Sequence, residues 1–169
     1  MKILVISTTL LKTPPEGYGG IEVLVYYLVR ELEKLGHKVT LAAAHGSYEP
    51  NNGLIEASRE NEIANLIDPD DYDVIHDWSH SKVSSKLLHP KVFSTPFWTD
   101  AKGANPIYPT KAVAHVFGEP NAPVVYPGIS VEKYPLIEDK EDSFIPEPKK
   151  AEAKRKTFKI KLPSFMQKK

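Results

Sequence analysis

The chain has 169 residues, 41% of them hydrophobic, a size and composition that suit one domain with a real core, with or without an appendage. Lys+Arg and Asp+Glu stand at 22 each, so net charge singles out no class of partner. The absence of cysteine excludes disulfides and thiolate metal sites, and no apolar run reaches the roughly 18 residues of a membrane span.

In chain order, Lys2–Ser7 is a β-branched and aliphatic run, apolar on both faces, as a central parallel strand requires. It superficially resembles a signal-peptide core, but no small-residue cleavage site follows, and a cytoplasmic protein is the expectation. Thr8–Tyr18 reads as a loop with Pro14, Pro15 and Gly17. Gly19–Gly20 opens a helix whose stripe is Ile21, Leu24, Val25, Leu28, Leu32 and Leu35, with Gly36 as its C-terminal stop. Val39–Ala44 is the next strand. Strand, glycine loop, helix and strand make a βαβ unit, which crosses over right-handed into a parallel sheet.

Beyond it, Glu56–Ile67 reads as a helix, Asp68–Asp73 as an acidic solvated turn, and Val74–Ile75 as a strand ending at His76. Ser79–Leu88 reads as a helix, Val92–Thr95 as a strand stopped by Pro96, and Trp98–Asn105 as a loop. Ile107–Tyr108 and Pro123–Tyr126 are short strand-like runs, and Thr110 suits the N-cap of a helix through Val116. The predicted fold is α/β, an open, mostly parallel Rossmann-like sheet with helices on both faces.

The composition breaks near Pro135. Residues 149–169 carry nine basic residues and one acid, leaving the tail at +8 and residues 1–148 at −8. The expected domains are therefore 1–135, the Rossmann-like body, and 136–169, a linker and basic tail, partly disordered. The tail has no interleaved aromatics beyond Phe158 and Phe165, so nonspecific electrostatics is expected and no specific nucleic-acid binding.

The glycine loop has a chemical reading and a structural one. Glycine admits close backbone approach, and a helix start offers unpaired N–H groups to a phosphate. Equally, the glycines suit a tight turn, and Glu22 complements the helix dipole from the first turn. The loop is neither a dinucleotide fingerprint nor a phosphate-loop ATPase motif.

Four segments in order carry a resemblance: Tyr18-Gly19-Gly20-Ile21-Glu22, Leu28–Leu41 (LVRELEKLGHKVTL), Asp73-Val74-Ile75-His76, and Val124-Val125-Tyr126-Pro127-Gly128-Ile129. Together they resemble the N-terminal half of family 4 glycosyltransferases of the GT-B fold, over roughly residues 2–135, with Pro127 where that family usually has Asn. The resemblance implies a two-domain enzyme with the acceptor held mainly by the N-terminal domain and a nucleotide-sugar donor mainly by the C-terminal one. Transfer would retain anomeric configuration and use neither metal nor cofactor, the nucleotide-sugar being a substrate. It implies a catalytic, acceptor-side place for His76, with Gly19, Gly20, Glu22 and Asp77 around substrate and phosphate.

Nothing after Pro135 resembles the donor domain; Glu132 and Asp139 only approach its paired-glutamate spacing, with six residues between. A truncated or frame-shifted enzyme is therefore expected, inactive alone, acting with a separate donor domain, pairing with itself, or kept as a non-catalytic glycan- or nucleotide-binding module. His76 and His80, four apart with Asp77 between, have no evident further ligand to complete a metal site, and the three read as polar strand-end residues facing an acceptor or making local hydrogen bonds. Trp78, Phe97 and Trp98 have the apolar faces that stack on sugar rings, and equally suit core packing.

Overall fold

The computed structural model describes residues 1–87, 89–97 and 100–129. Trp98 and the predicted linker and tail lie outside the described residues. Strand β1, Lys2–Ile6, has four successive buried residues after Lys2, as its two-faced apolar run predicts. The strand leads through the glycine loop into helix α1, Gly20–Lys34, and then strand β2, Lys38–Ala43. Strand β3, Leu54–Glu56, strand β4, Val74–Asp77, and strand β5, Val92–Ser94, complete the sheet. The sheet order is β3-β2-β1-β4-β5, and every neighbouring pair is parallel. The α/β, Rossmann-like architecture read from the sequence is the fold.

Period-two alternation sends each strand's side chains to two cores. Leu4, Ile6, Ala42, Ile75 and Val92 face one side, with Ile63 and Val83. Ile3, Val5, Val39, Leu41 and Trp78 face the other, where Val25 and Val29 of α1 pack at zero exposure. Burying each such valine is worth about 1.5–3 kcal/mol, so α1 is held by this face more than by propensity. Ile63 belongs to helix α2, Glu60–Ile63, and Leu87, packed against the first core, to helix α3, Ser84–Leu87. Helices thus lie on both faces.

Gly36 ends α1 with φ +83, its N–H donating to Glu33 O at 2.9 Å while His37 N–H donates to Leu32 O at 3.1 Å. This paired closure wants a left-handed residue at Gly36. Leu35 becomes the C-cap and is 73% exposed, so it leaves the apolar stripe to which its spacing assigned it.

Other predicted elements shrink. The helix expected at 56–67 is reduced to α2, because Leu54–Glu56 pairs with Leu41–Ala43 as β3. The helix expected at 79–88 is reduced to α3. The strand-like runs near 107 and 124 are single bridges, Ser94 to Pro106 and Tyr108 to Val124. Helix α4, Lys111–Val116, forms as predicted, with Thr110 Oγ1 accepting from Val113 N at 3.1 Å. Among the described residues, no helix is long and apolar enough to cross a membrane.

Candidate functional site

The sheet order has one reversal. From β1 the chain builds outward to β2 and β3, then returns to place β4 on the other side of β1. In open α/β sheets a crevice opens at such a switch point, outside the carboxyl ends of the strands. Here that crevice has a volume of about 580 Å³. Thr9 and Leu10 line it from the loop after β1, Ser58 and Arg59 from the loop after β3, and His80 and Ser81 from the loop after β4.

Two carboxylates hold these loops in register. Glu60, at the start of α2, accepts from His80 N at 3.1 Å and from Ser81 N at 2.7 Å. This ties the loop after β3 to the loop after β4. Asp77 is fully buried, and its Oδ1 accepts from Ser79 N at 2.9 Å and Ser79 Oγ at 2.6 Å. Its Oδ2 accepts from Ser84 N at 2.7 Å, at the start of α3. Asp77 therefore spends both oxygens shaping the turn that carries His80.

Behind His80 stands a buried ion pair. Lys82 Nζ lies 3.0 Å from Asp100 Oδ2, with side-chain exposures of 0% and 1%. Lys82 Nζ also donates to Ser79 O and, at 3.1 Å, to Thr95 O. Asp100 Oδ2 accepts from Phe97 N at 3.0 Å, and Oδ1 lies 2.7 Å from His80 Nδ1. Charges removed from water at this depth persist only when paired and hydrogen-bonded, and both are. Lys82, Asp100, Arg59 and Glu60 escape sequence reading: Asp100 lies 20 residues beyond His80, in a stretch without periodicity. The one local signal is His80 itself, four residues after His76.

The glycine loop starts α1 beside this crevice without lining it. Gly19 is buried, and a Cβ there would meet Pro15 Cγ at 2.7 Å, Pro15 Cβ at 2.9 Å and Glu22 Oε2 at 3.0 Å. Close packing against Pro15 thus demands glycine at this position. Gly20 is exposed, with nothing within 4 Å of the place its Cβ would take. Glu22 is 5% exposed and accepts from Thr8 Oγ1, joining the helix start to the end of β1.

His76 lies elsewhere. Alternation along β4 turns it to the α1 side of the sheet, where it lines a second cavity of about 510 Å³. Leu24, Leu28, Phe93 and Val125 are among the apolar residues of its walls. The ring of His76 stacks 4.2 Å from Phe93 and 5.0 Å from Trp78, and Nε2 pairs with Thr95 Oγ1 at 2.8 Å. Burial, with the Lys82 ammonium adding to it, pushes the His76 pKa down to about 3, so the ring is neutral. His76 and His80 thus line different cavities. Among the described residues no three His, Asp or Glu side chains converge as metal ligands. Trp78 is 6% exposed within the core, and its indole N–H has no acceptor among the described residues. Phe97 packs on it at 5.9 Å.

No protein-family profile matches the sequence, and no curated protein matches it. Among solved structures, the chain is similar to the crystal structure of AviGT4, a glycosyltransferase involved in Avilamycin A biosynthesis. The two share 28% identity at a TM-score of 0.66, over 82% of this chain and 45% of AviGT4. The chain thus has a glycosyltransferase-like fold and spans less than half the length of that neighbour.

Proposed function

We propose that this chain forms the acceptor-side half of a nucleotide-sugar-dependent glycosyltransferase that transfers with retention of anomeric configuration. The observation that carries the reading is the likeness to AviGT4 over 82% of this chain but 45% of that one. The switch-point crevice adds to it, having the size and position of a small-ligand site.

In this reading the crevice takes a carbohydrate acceptor. The backbone N–H groups of Gly19 and Gly20 face the departing diphosphate, where preorganised donors stabilise developing charge. Glu22 and Asp77 hold the two loops that border the acceptor, and His76 backs the adjoining sheet face. A donor domain supplies the opposite wall. One wall of a cleft leaves the reacting atoms unpositioned and wet, so the 169-residue chain alone turns over negligibly. The test incubates the purified chain with uridine and thymidine diphosphate sugars and simple glycosides, following diphosphate release, and measures glycoside binding by calorimetry. Binding without turnover is the expected result. Rapid transfer by this chain alone would overturn the half-enzyme reading.

A further inference from the structure

We infer that His80 is the residue that receives an acceptor hydroxyl, its ring aimed into the crevice by the buried Asp100–Lys82 pair; this rests on the glycosyltransferase reading and names the group that meets the acceptor. The Asp100 carboxylate sets the ring. Lys82 Nζ and Phe97 N occupy Asp100 Oδ2, leaving Oδ1 to His80 Nδ1 at 2.7 Å. A carboxylate only accepts, so Nδ1 is the nitrogen that carries the proton toward Asp100, and in that tautomer Nε2 is the acceptor turned to the crevice.

Nothing among the described residues pairs with that nitrogen. The His80 side chain is 42% exposed and lines the crevice. A buried ion pair contributes little to stability over a well-packed apolar pair, which leaves room for a positioning role. The job the geometry describes is to lock one tautomer and one ring orientation at the crevice wall.

The chemistry of the ligand follows from the free lone pair. It seeks a donor, which every sugar hydroxyl is and a fully ionised phosphate ester is not. The neighbours suit a sugar ring. Arg59 supplies guanidinium donors for hydroxyl oxygens, and Leu10, 75% exposed, supplies an apolar surface for the C–H face of a pyranose. The crevice therefore takes a neutral pyranoside, with one hydroxyl donating to His80 Nε2.

The test titrates the 169-residue protein with methyl glucoside, methyl galactoside, methyl mannoside and, separately, inorganic phosphate. Long-range proton–nitrogen spectra follow the histidine ring nitrogens, and calorimetry gives affinities for the wild type, His80→Ala and His80→Gln. Circular dichroism and urea denaturation establish that each variant is folded before its binding is compared. At least one glycoside is expected to shift His80 Nε2 and leave His37, His45 and His115 unmoved. His80→Ala should weaken its binding about tenfold, the loss of one hydrogen bond. His80→Gln, which keeps an acceptor oxygen, should recover part of that. A glycoside bound equally well by His80→Ala overturns this inference and leaves the glycosyltransferase reading standing. Phosphate moving Nε2 where no glycoside does also overturns it. Calorimetric silence toward every glycoside sinks both.

Discussion

His76 and His80 are four residues apart and live in opposite chemical worlds. His76 sits within β4, on the sheet face, stacked between Phe93 and Trp78 with Nε2 paired to Thr95. Its surroundings deny it a charge. His80 sits where the chain has left the strand, with Nδ1 on a buried carboxylate and the other nitrogen, at the crevice, unpaired among the described residues. The two cavities have similar volumes, about 510 and 580 Å³, so size does not separate them. What separates them is place. One is a gap on a sheet face, walled by side chains of α1, β4 and β5; the other is the switch point, where three loops bring Arg59, Glu60 and His80 together.

The sharpest way to break this contrast is to remove the ion pair behind His80. Asp100→Ala leaves the Lys82 ammonium buried without its counter-charge, and should cost about 3–5 kcal/mol by urea denaturation. A loss under about 1 kcal/mol would mean that water reaches the pair, and the crevice wall would not be rigid.

The glycine loop gives the next largest effect, and it divides the loop in two. Gly19→Ala drives a methyl group into Pro15 and should cost about 1–3 kcal/mol. Gly20→Ala enters open space in the first turn of α1 and should be neutral or stabilising by up to about 1 kcal/mol. Equal effects at the two sites would remove the steric assignment of Gly19.

The most gradual effect is a slope. The His76 pKa is about 3 in the folded protein against 6.5 for the free side chain, so the unfolded chain binds a proton that the folded one refuses. Stability from this residue is intact above pH 6.5 and drains away as pH falls toward 3. The slope is at most about 1.4 kcal/mol per pH unit. His76→Phe keeps a ring against Phe93 and Trp78 and should flatten the stability profile between about pH 7 and pH 5. Parallel wild-type and variant profiles would show that His76 charges freely, which would undo the contrast with His80.

Much of the fold was legible because its signals are local. The two-faced run of β1, the stripe from Ile21 to Leu32, the stop at Gly36 and the cap at Thr110 each express their physics within a few residues. Where reading failed, a distant partner decided. Leu54-Ile55-Glu56 is too short to declare itself and becomes a strand only by pairing with Leu41–Ala43. That pairing in turn takes the first turn of the helix expected from Glu56, and α2 begins at Glu60. Leu35 had the right spacing, but the glycine stop unwinds the chain before its side chain can reach the core.

The candidate site divides in the same way. The glycines, Glu22, His76 and Asp77 stand out as residue types at strand ends and a helix start, and the sequence alone determined the parallel sheet that presents them. It grouped His76 and Asp77 at a strand end facing an acceptor, whereas β4 runs on through Asp77 and alternation turns the two to opposite sides. Only the tertiary structure decided which histidine reaches the crevice, because that depends on Asp100 folding in behind His80 from beyond the next strand, onto Lys82. Alternation is a property of the chain and can be read from it. A buried carboxylate behind a ring is a property of packing, and no spacing in the sequence encodes it.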